Sequence, residues 1–254
     1  MWHGDYLYLV ENLVLKDFRI RYRNMSLGVL WSLLNPLVMM GVLTFVFTEI
    51  FPSHSIQHYA AFVLCGIVPF NFFTVAWITG TTSIVDNAGL IKRVPVPREV
   101  VPITSVLSNC VHLLVQIGLL ISVILISGIA VSRQWLWLPV VWGMQIVFVC
   151  GLALFFSAIN VFIRDTRYLV ESASTVLFWL VPVIYPQELI KKEYIPIYEL
   201  NPLAAQVISL RRILLLGQSP VGMTLVKLAG VSFAVFVVGL LVFRRLKPMF
   251  YERI

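Results

Sequence analysis

Long stretches without charge, separated by short charged segments, dominate the pattern along this chain. Four stretches lack Asp, Glu, Lys and Arg and are each at least 25 residues long: 24–48, 50–85, 100–132 and 134–163. They are apolar throughout rather than alternating, which favours helices over the strands of a barrel. About 20 apolar residues cross a bilayer as a helix, at a rise of ~1.5 Å each. We therefore predict an all-α integral membrane protein with six transmembrane spans, at 29–51, 59–85, 101–131, 135–162, 168–185 and 221–243.

Composition agrees with this interpretation. Of the 254 residues, 59% are hydrophobic and only 12% are charged, and the mean hydropathy is +0.91. A soluble domain is about one quarter charged. The composition therefore excludes a soluble enzyme, a disordered chain and a nucleic-acid-binding domain, and it predicts one transmembrane domain over 1–254.

The N-terminal segment, residues 1–25, has an amphipathic pattern. On a helical wheel Leu7, Val10 and Phe18 fall on one side, whereas Lys16 and Arg19 fall on the other. A basic polar face opposite an apolar one suits a helix that lies among lipid headgroups. We predict such an interface helix; an ordinary helix packed on a partner is the alternative.

Two segments between the spans also have a recognisable pattern. Residues 86–98 form a short apolar and basic stretch that ends in Pro95-Val-Pro97, and proline stops a helix at or before the preceding residue. We predict a helix of one to two turns followed by a stiff proline arm. Residues 187–217 are too polar to span, and we expect short helices that lie at the outer membrane surface or are partly re-entrant.

The distribution of basic residues predicts the orientation. Of the 19 Lys and Arg residues, 13 fall on one side, in the N-terminal segment, 86–99, 164–167 and the C-terminal tail. The other side holds five. Because cytoplasmic loops carry an excess of Lys and Arg, both termini are predicted to be cytoplasmic. The same rule accounts for the net charge of +7.

The sequence contains none of the common nucleotide-binding or catalytic motifs. There is no Gly-x-x-x-x-Gly-Lys-Ser/Thr phosphate loop and no hydrolase or zinc-protease motif. Cys65, Cys110 and Cys150 lie far apart in apolar runs, which predicts neither a disulfide nor a metal site. Acidic residues are nearly absent from the spans, which argues against an ion-coupled carrier. We therefore predict no catalytic residue, no metal site and no cofactor in this chain.

Several segments, taken in order, carry a resemblance to a known family: 15–23, 27–37, 66–73, 87–97, 160–165, 178–186 and 200–202. With six spans and no ATPase motif, the chain resembles the membrane permease subunit of ABC exporters for lipid-linked polysaccharides, such as O-antigen, capsule and teichoic acid. The resemblance implies a homodimer in the bacterial inner membrane. It also implies two separate subunits that bind ATP and Mg²⁺ and hydrolyse the nucleotide.

The resemblance further implies roles for particular segments. Residues 86–98 would be the coupling helix, and 187–217 would form an external gate. The residues implied in coupling are Asn87, Leu90, Ile91, Lys92, Arg93, Pro95, Pro97, Arg98, Arg164 and Asp165. Those implied near the lipid pyrophosphate are Lys16, Arg19, Arg21, Arg23, Leu27 and Gly28. The alternatives are an ordinary basic loop for the first set and attraction to anionic headgroups for the second.

Polar and aromatic side chains within the spans are candidates for a sugar pathway. Ser105, Asn109, His112 and Gln116 recur at helical spacing and form one stripe, which indicates either a pathway wall or hydrogen bonds between helices. Aromatic rings suit the C–H faces of sugars, although interfacial belts and packing explain them equally well. The candidate aromatics are Trp31, Phe70, Phe72, Phe73, Trp77, Phe178, Trp179 and Tyr185.

The function predicted from the sequence is ATP-driven export of a lipid-linked polysaccharide through this transmembrane subunit. Two alternatives remain at this point. One is an ABC exporter of a drug or small lipid, and the other is an ATP-independent scramblase or carrier.

Overall fold

The computed structural model describes residues 6–23, 28–50, 56–93 and 96–253, and every regular element in those ranges is helical. The all-α prediction is therefore confirmed for the described chain. Its α-helices are α1 Tyr6–Tyr22, α2 Trp31–Phe45, α3 Tyr59–Asp86, α4 Ala88–Arg93, α5 Val100–Ile126, α6 Leu138–Phe162, α7 Thr166–Leu180, α8 Ile195–Leu200, α9 Pro202–Leu214 and α10 Gly222–Leu246. A π-helix, Val46–Ile50, extends α2, and short 3₁₀ helices lie at Gly28–Leu30, Arg133–Trp137, Gln187–Leu189, Lys192–Tyr194 and Lys247–Glu252.

Five helical segments are long and apolar enough to cross a membrane. They are Trp31–Ile50, Tyr59–Asp86, Val100–Ile126, Arg133–Phe162 and Gly222–Phe250, of 20 to 30 residues each. They coincide with five of the six predicted spans. The end of the third differs, because α5 stops at Ile126 rather than Val131. Gly128 follows with φ +76, a left-handed conformation that favours glycine.

The remaining predicted span, 168–185, coincides with α7, which has only 15 residues. At ~1.5 Å per residue, such a helix is about 22 Å long, against a hydrocarbon core of about 30 Å. The backbone leaves the helix at Val181, one residue before Pro182. The count of six spans therefore stays a prediction.

Arg211 of α9 organises the irregular backbone that follows α7. Its Nη2 donates to the Val183 carbonyl at 2.6 Å, its Nη1 to the Tyr185 carbonyl at 3.3 Å and its Nε to the Phe62 carbonyl at 3.4 Å. The guanidinium carbon also lies 3.5 Å from the centre of the Phe62 ring. The buried arginine thus donates to two carbonyls of the irregular segment, Val183 and Tyr185, and ties that segment to α3 through Phe62.

The core is built around α3, which packs on α5 and α6 and is mostly buried. The most extensive helix pair is α6 with α10. There Gly151 and Gly239 face one another: a Cβ on Gly151 would come within 2.6 Å of the Phe236 backbone, and one on Gly239 would collide with the Gly151 carbonyl. Small residues let helix backbones approach closely in membranes, where helix pairing depends on such packing.

A second apolar cluster lies at the end of the molecule that carries α4, hereafter the α4 end. It joins the end of α3, α4, the start of α5 and the later parts of α6 and α10. Its members are Ile84, Ile91, Val101, Leu154, Ala158, Val161, Phe243 and Phe250. The predicted short helix before Pro95 is present as α4, which Ile91 fixes to this cluster. Pro95 itself lies outside the described residues.

The predicted segment 187–217 contains two 3₁₀ turns, α8 and α9 rather than a span. Asn201 caps α9, its side-chain oxygen accepting from the Leu203 amide at 3.0 Å, and Pro202 occupies the first turn. The apolar face of α9 is buried against α3, α6 and α10, which explains the hydrophobic residues of a segment too polar to span.

Candidate functional site

A groove runs along α2 and has polar residues inside the span region. On one side α2, α3 and α5 enclose a cavity of about 320 Å³, and on the other α2, α3 and α7 enclose one of about 440 Å³. Asn35 of α2 and Asn71 of α3 line both cavities. We call the two cavities together the amide groove. Because Pro36 is the only residue of α2 that is buried in the protomer, the groove is shallow and opens outward.

Polar side chains of α5 form one wall of the amide groove. Gln116 donates from Nε2 to the Ser32 carbonyl at 3.0 Å, which ties α5 to α2. Asn109 donates from Nδ2 to Thr79 Oγ1 at 2.9 Å and to the Ser105 carbonyl at 2.7 Å. These bonds favour the interhelical interpretation of the predicted stripe, although Asn109 and Gln116 also line the groove.

His112, the remaining member of the stripe, connects α5 to the first helix. Its ring nitrogens contact the Tyr22 hydroxyl near the end of α1, and the two rings pack 5.1 Å apart. His112 and Tyr22 both line the 320 Å³ cavity. The contact therefore places the end of α1 at one edge of the groove.

Two polar atoms of the groove lining lack partners. Neither Gln116 Oε1 nor Thr74 Oγ1 has a hydrogen-bond partner among the described residues, and both atoms are buried. Buried polar atoms are nearly always paired, directly or through water. The protomer therefore leaves two buried polar atoms beside the cavities without a partner among the described residues.

The predicted aromatic residues separate into two groups. Phe73 and Trp77 are only 1% and 5% exposed and pack on Phe148 and Phe156, with ring centres 6.2 and 5.2 Å apart. This placement favours core packing for that pair. Phe70 lies at the groove instead, edge-on to Phe178 at 5.3 Å.

The other predicted aromatics also lie apart from one another. Trp31 lines the groove and is 46% exposed. Trp179 is exposed but does not line either cavity. The Tyr185 hydroxyl bonds to the Tyr198 hydroxyl and to the Trp179 carbonyl, both at 3.2 Å, at the end opposite α4.

Sequence reasoning did not single out three polar residues of the groove, Asn35, Asn71 and Thr74, whereas Phe178 was among the candidate aromatics. Asn71 had a usable signal, since an amide within the apolar run 50–85 needs a hydrogen-bonding environment. Asn35 and Thr74 offer weaker signals, because Asn-Pro pairs and threonines are common in membrane helices.

The basic residues predicted near a pyrophosphate lie along α1. Lys16 donates from Nζ to Asn87 Oδ1 at 2.5 Å and forms an ion pair with Asp17 at 3.1 Å. Arg19 and Arg23 are exposed. Gly28 has φ +50 in the turn before α2, a conformation that few residues other than glycine adopt. Leu27 and the side chain of Arg21 lie outside the described residues.

The predicted coupling residues differ in exposure. Lys92 and Arg93 project from α4 into solvent, Leu90 and Pro97 are half-buried, and Asn87 bonds to the Ser83 carbonyl at 2.9 Å. Arg164 and Asp165 are exposed in the turn between α6 and α7. That turn also lies at the α4 end, because Phe162 just before it packs on Phe250 at 6.1 Å.

Arg98 is engaged within this chain rather than projecting from it. The side chain is buried, and its Nη1 donates to the Lys247 carbonyl at 2.9 Å. Lys247 in turn donates from Nζ to Glu99 Oε2 at 2.7 Å. Burial alone would raise the pKa of the Glu99 carboxyl, but the Lys247 hydrogen bond and charge lower that pKa below its usual value. Residues 98–99 and the end of α10 thus hold each other in place.

No metal centre is found in the described ranges, where no three His, Cys, Asp or Glu side chains come together. The three cysteines are free thiols. The arrangement therefore offers hydrogen bonds and aromatic faces in a membrane groove, with a cluster of exposed charges at the α4 end.

Comparison with known proteins decides the family. Residues 8–215 match the family described as ABC-2 type transporter. The chain belongs to this family. The chain is 30% identical to an O-antigen export system permease protein RfbA of Klebsiella pneumoniae, over 98% of this chain and 94% of that protein. This similarity covers almost the whole chain.

Two further relatives show the same breadth of similarity. The RfbA permease of Myxococcus xanthus is 29% identical over 98% of this chain and 96% of its own length. The polysialic acid transport protein KpsM of Escherichia coli is 26% identical over 92% of each chain. The family and the five long apolar helices together make this ABC-2 protein a multi-pass membrane protein.

Proposed function

We propose that this chain is the transmembrane subunit of an ATP-driven exporter that moves a lipid-linked polysaccharide out of the cytoplasm. The observation that carries the proposal is the similarity to O-antigen export permeases along nearly the entire chain. A groove lined by amides and aromatic rings supports it, because such groups match the hydroxyls and C–H faces of sugars.

The working assembly in this proposal is a homodimer in the bacterial inner membrane, with both termini in the cytoplasm. The apolar face of α2 is exposed in the protomer, and a second copy would cover it and complete the pathway between the subunits. The polysaccharide would then move along the amide grooves of the two copies. The segment with α8 and α9 would close the outer end.

In this proposal the ATP-hydrolysing subunits act on the chain at the α4 end. Two separate subunits would bind ATP and Mg²⁺ and would contact α4 and the 164–165 turn, where exposed charges lie beside an apolar cluster. Since Ile91 fixes α4 to the ends of α3, α6 and α10, movement of α4 would reach several spans at once. This chain itself contributes no phosphate loop.

The lipid pyrophosphate would enter beside α1 in the same scheme. Arg19 and Arg23 are exposed there, and arginine binds phosphate oxygens through two parallel hydrogen bonds. The Lys16–Asn87 contact places this helix against the residue preceding α4, so substrate arrival and coupling would occur at one end.

The proposal is tested by purifying the chain and reconstituting it in vesicles. We expect a protein with a Walker-type phosphate loop to co-purify, and lipid-linked glycan to move across the bilayer only when ATP is present. Transport of glycan without ATP would favour a scramblase. ATP-dependent transport of small lipids or drugs but not of glycan would favour the other alternative.

A further inference from the structure

The lining of the amide groove has a consistent chemical character. Its polar members are mainly amides and hydroxyls, from Asn35, Asn71, Thr74, Asn109 and Gln116. Aromatic rings complete the walls. Among the described lining residues none is Lys or Arg, and Glu171 is the only carboxylate.

The single carboxylate of the lining is already paired. Arg167 donates from Nε to Glu171 Oε1 at 2.8 Å, one helical turn away on α7. Arg167 does not itself line either cavity. Apart from the imidazole of His112, the described walls hold no basic side chain, so the groove offers a ligand no lysine or arginine charge.

This chemistry separates neutral from acidic sugars. An amide both donates and accepts hydrogen bonds, so it matches a hydroxyl whichever way the hydroxyl points. A carboxylate or phosphate that leaves water needs a cation or several donors to replace its hydration, and without them the transfer is strongly unfavourable.

We propose that the amide groove passes neutral glycans and discriminates against glycans whose repeat units carry carboxylate or phosphate groups. This inference rests on the proposed export function, and it names the substrate class for the same site. The pyrophosphate of the lipid carrier crosses once per polymer, whereas an acidic sugar would meet the uncharged walls again in every repeat. A second copy of the chain would bring the same lining.

The test uses the full transporter with its ATPase subunits in vesicles and two lipid-linked glycans. The glycans have the same length and linkage, but in one the primary alcohol of each repeat is oxidised to a carboxylate. We expect the wild-type protein to export the neutral glycan at least about tenfold faster than the acidic one.

Added positive charge in the groove should lower the ratio of neutral to acidic glycan export. Asn71→Arg is expected to raise export of the acidic glycan relative to the neutral one by several-fold, and Thr74→Lys should act in the same direction if the first variant fails to assemble. Gln57→Arg is the matched control, because it adds the same charge at an exposed position outside the groove. The control should keep the wild-type ratio.

The outcomes separate the two proposals. Equal export of both glycans by the wild-type protein would overturn the specificity inference and leave the export function standing. Preference for the acidic glycan would overturn it as well. Export of neither glycan, with ATP hydrolysis intact, would instead contradict the proposed function. A preference for the neutral glycan that the groove variants shift and Gln57→Arg does not would support the inference.

Discussion

At the scale of single residues, the contacts of Arg98, Glu99 and Lys247 show how little sequence neighbours say about a charged side chain. Arg98 follows the Pro95-Val-Pro97 arm and was predicted as part of the coupling surface. The structure buries it against the Lys247 carbonyl, 149 positions later in the chain. No local pattern encodes such a contact, because it depends on where α10 ends relative to α5. The exposure of Lys92 and Arg93, by contrast, agrees with what a short basic helix predicts.

The Glu99–Lys247 pair should make stability depend on pH. Because the folded-state pKa of Glu99 is lowered, the pair stabilises the fold above the ordinary carboxyl pKa of 4.5, and this contribution is lost as pH falls through the lowered value. Both side chains are partly exposed, so the effect is about 1 kcal/mol or less. Glu99→Gln should lower the melting temperature in detergent at pH 7 by a few degrees, and it should lower it less at pH 3 than at pH 7.

The matched control for this measurement is Glu11→Gln, an exposed carboxylate on α1 with no ion pair among the described residues. It should leave the melting temperature unchanged at both pH values. If Glu99→Gln lowered the melting temperature equally at pH 7 and pH 3, the charge of the pair would not be the cause.

At the scale of elements, hydrophobic runs located the long helices well, because a continuous apolar stretch can satisfy its backbone in a membrane only as a helix. The boundaries were less predictable. The predicted span 168–185 continues to Tyr185, yet α7 ends at Leu180, since Pro182 and the distant Arg211 together stabilise an irregular end. Pro182 predicts from the sequence that the helix ends near this point. The hydrogen bonds of Arg211 to the following backbone can be seen only in the folded structure.

The contact between α6 and α10 leads to a prediction about one element pair. Gly239→Leu should separate the two helices, because any Cβ at this position collides with the Gly151 carbonyl. Overpacking of this kind costs about 1–3 kcal/mol. We expect a lower melting temperature and a smaller yield of monodisperse protein in size-exclusion chromatography.

Gly230→Leu on the same helix is the control, because a Cβ there would meet no atom within 4 Å. Its behaviour should match the wild-type protein. Equal loss of stability in both variants would indicate that helix α10 tolerates no added side chain, and the close contact would then not be the reason.

At the scale of the whole molecule, charge distribution predicted which segments cluster at one end, and the structure brings α4, the 164–165 turn and the end of α10 together. The amide groove was only partly predictable. The stripe on α5 was visible from its spacing, whereas Asn35 lies on α2 and only Asn71 and Thr74 lie on α3, too few on either helix to form a recognisable stripe. Which aromatics are buried also depends on the packing of α3 against α6, which single spans do not reveal.

The exposed charges of α4 yield a prediction for the assembled transporter. Lys92→Glu combined with Arg93→Glu should reduce export by about tenfold or more while ATP hydrolysis persists, because charge reversal at a docking surface typically costs 1–2 kcal/mol or more. Export and ATP hydrolysis are measured in the same vesicles. Normal export by this variant would contradict the coupling role.

Arg133→Glu serves as the control for that variant, since Arg133 is exposed and precedes α6 at the opposite end of the molecule. It should affect neither export nor ATP hydrolysis. If it caused the same loss, the effect would reflect the altered net charge rather than the position of α4.

The glycine contact between α6 and α10 also has a consequence for movement during transport. Two backbones that touch without intervening side chains cannot slide past one another without breaking the contact, so these helices act as a fixed frame. Helices α2 and α7 flank the amide groove and are mostly unburied in the protomer, since only Pro36 of α2 and Thr166, Val170 and Ser174 of α7 are buried. We infer that α6 and α10 keep their relative positions through the transport cycle. Movements of α2 and α7 then widen and narrow the pathway.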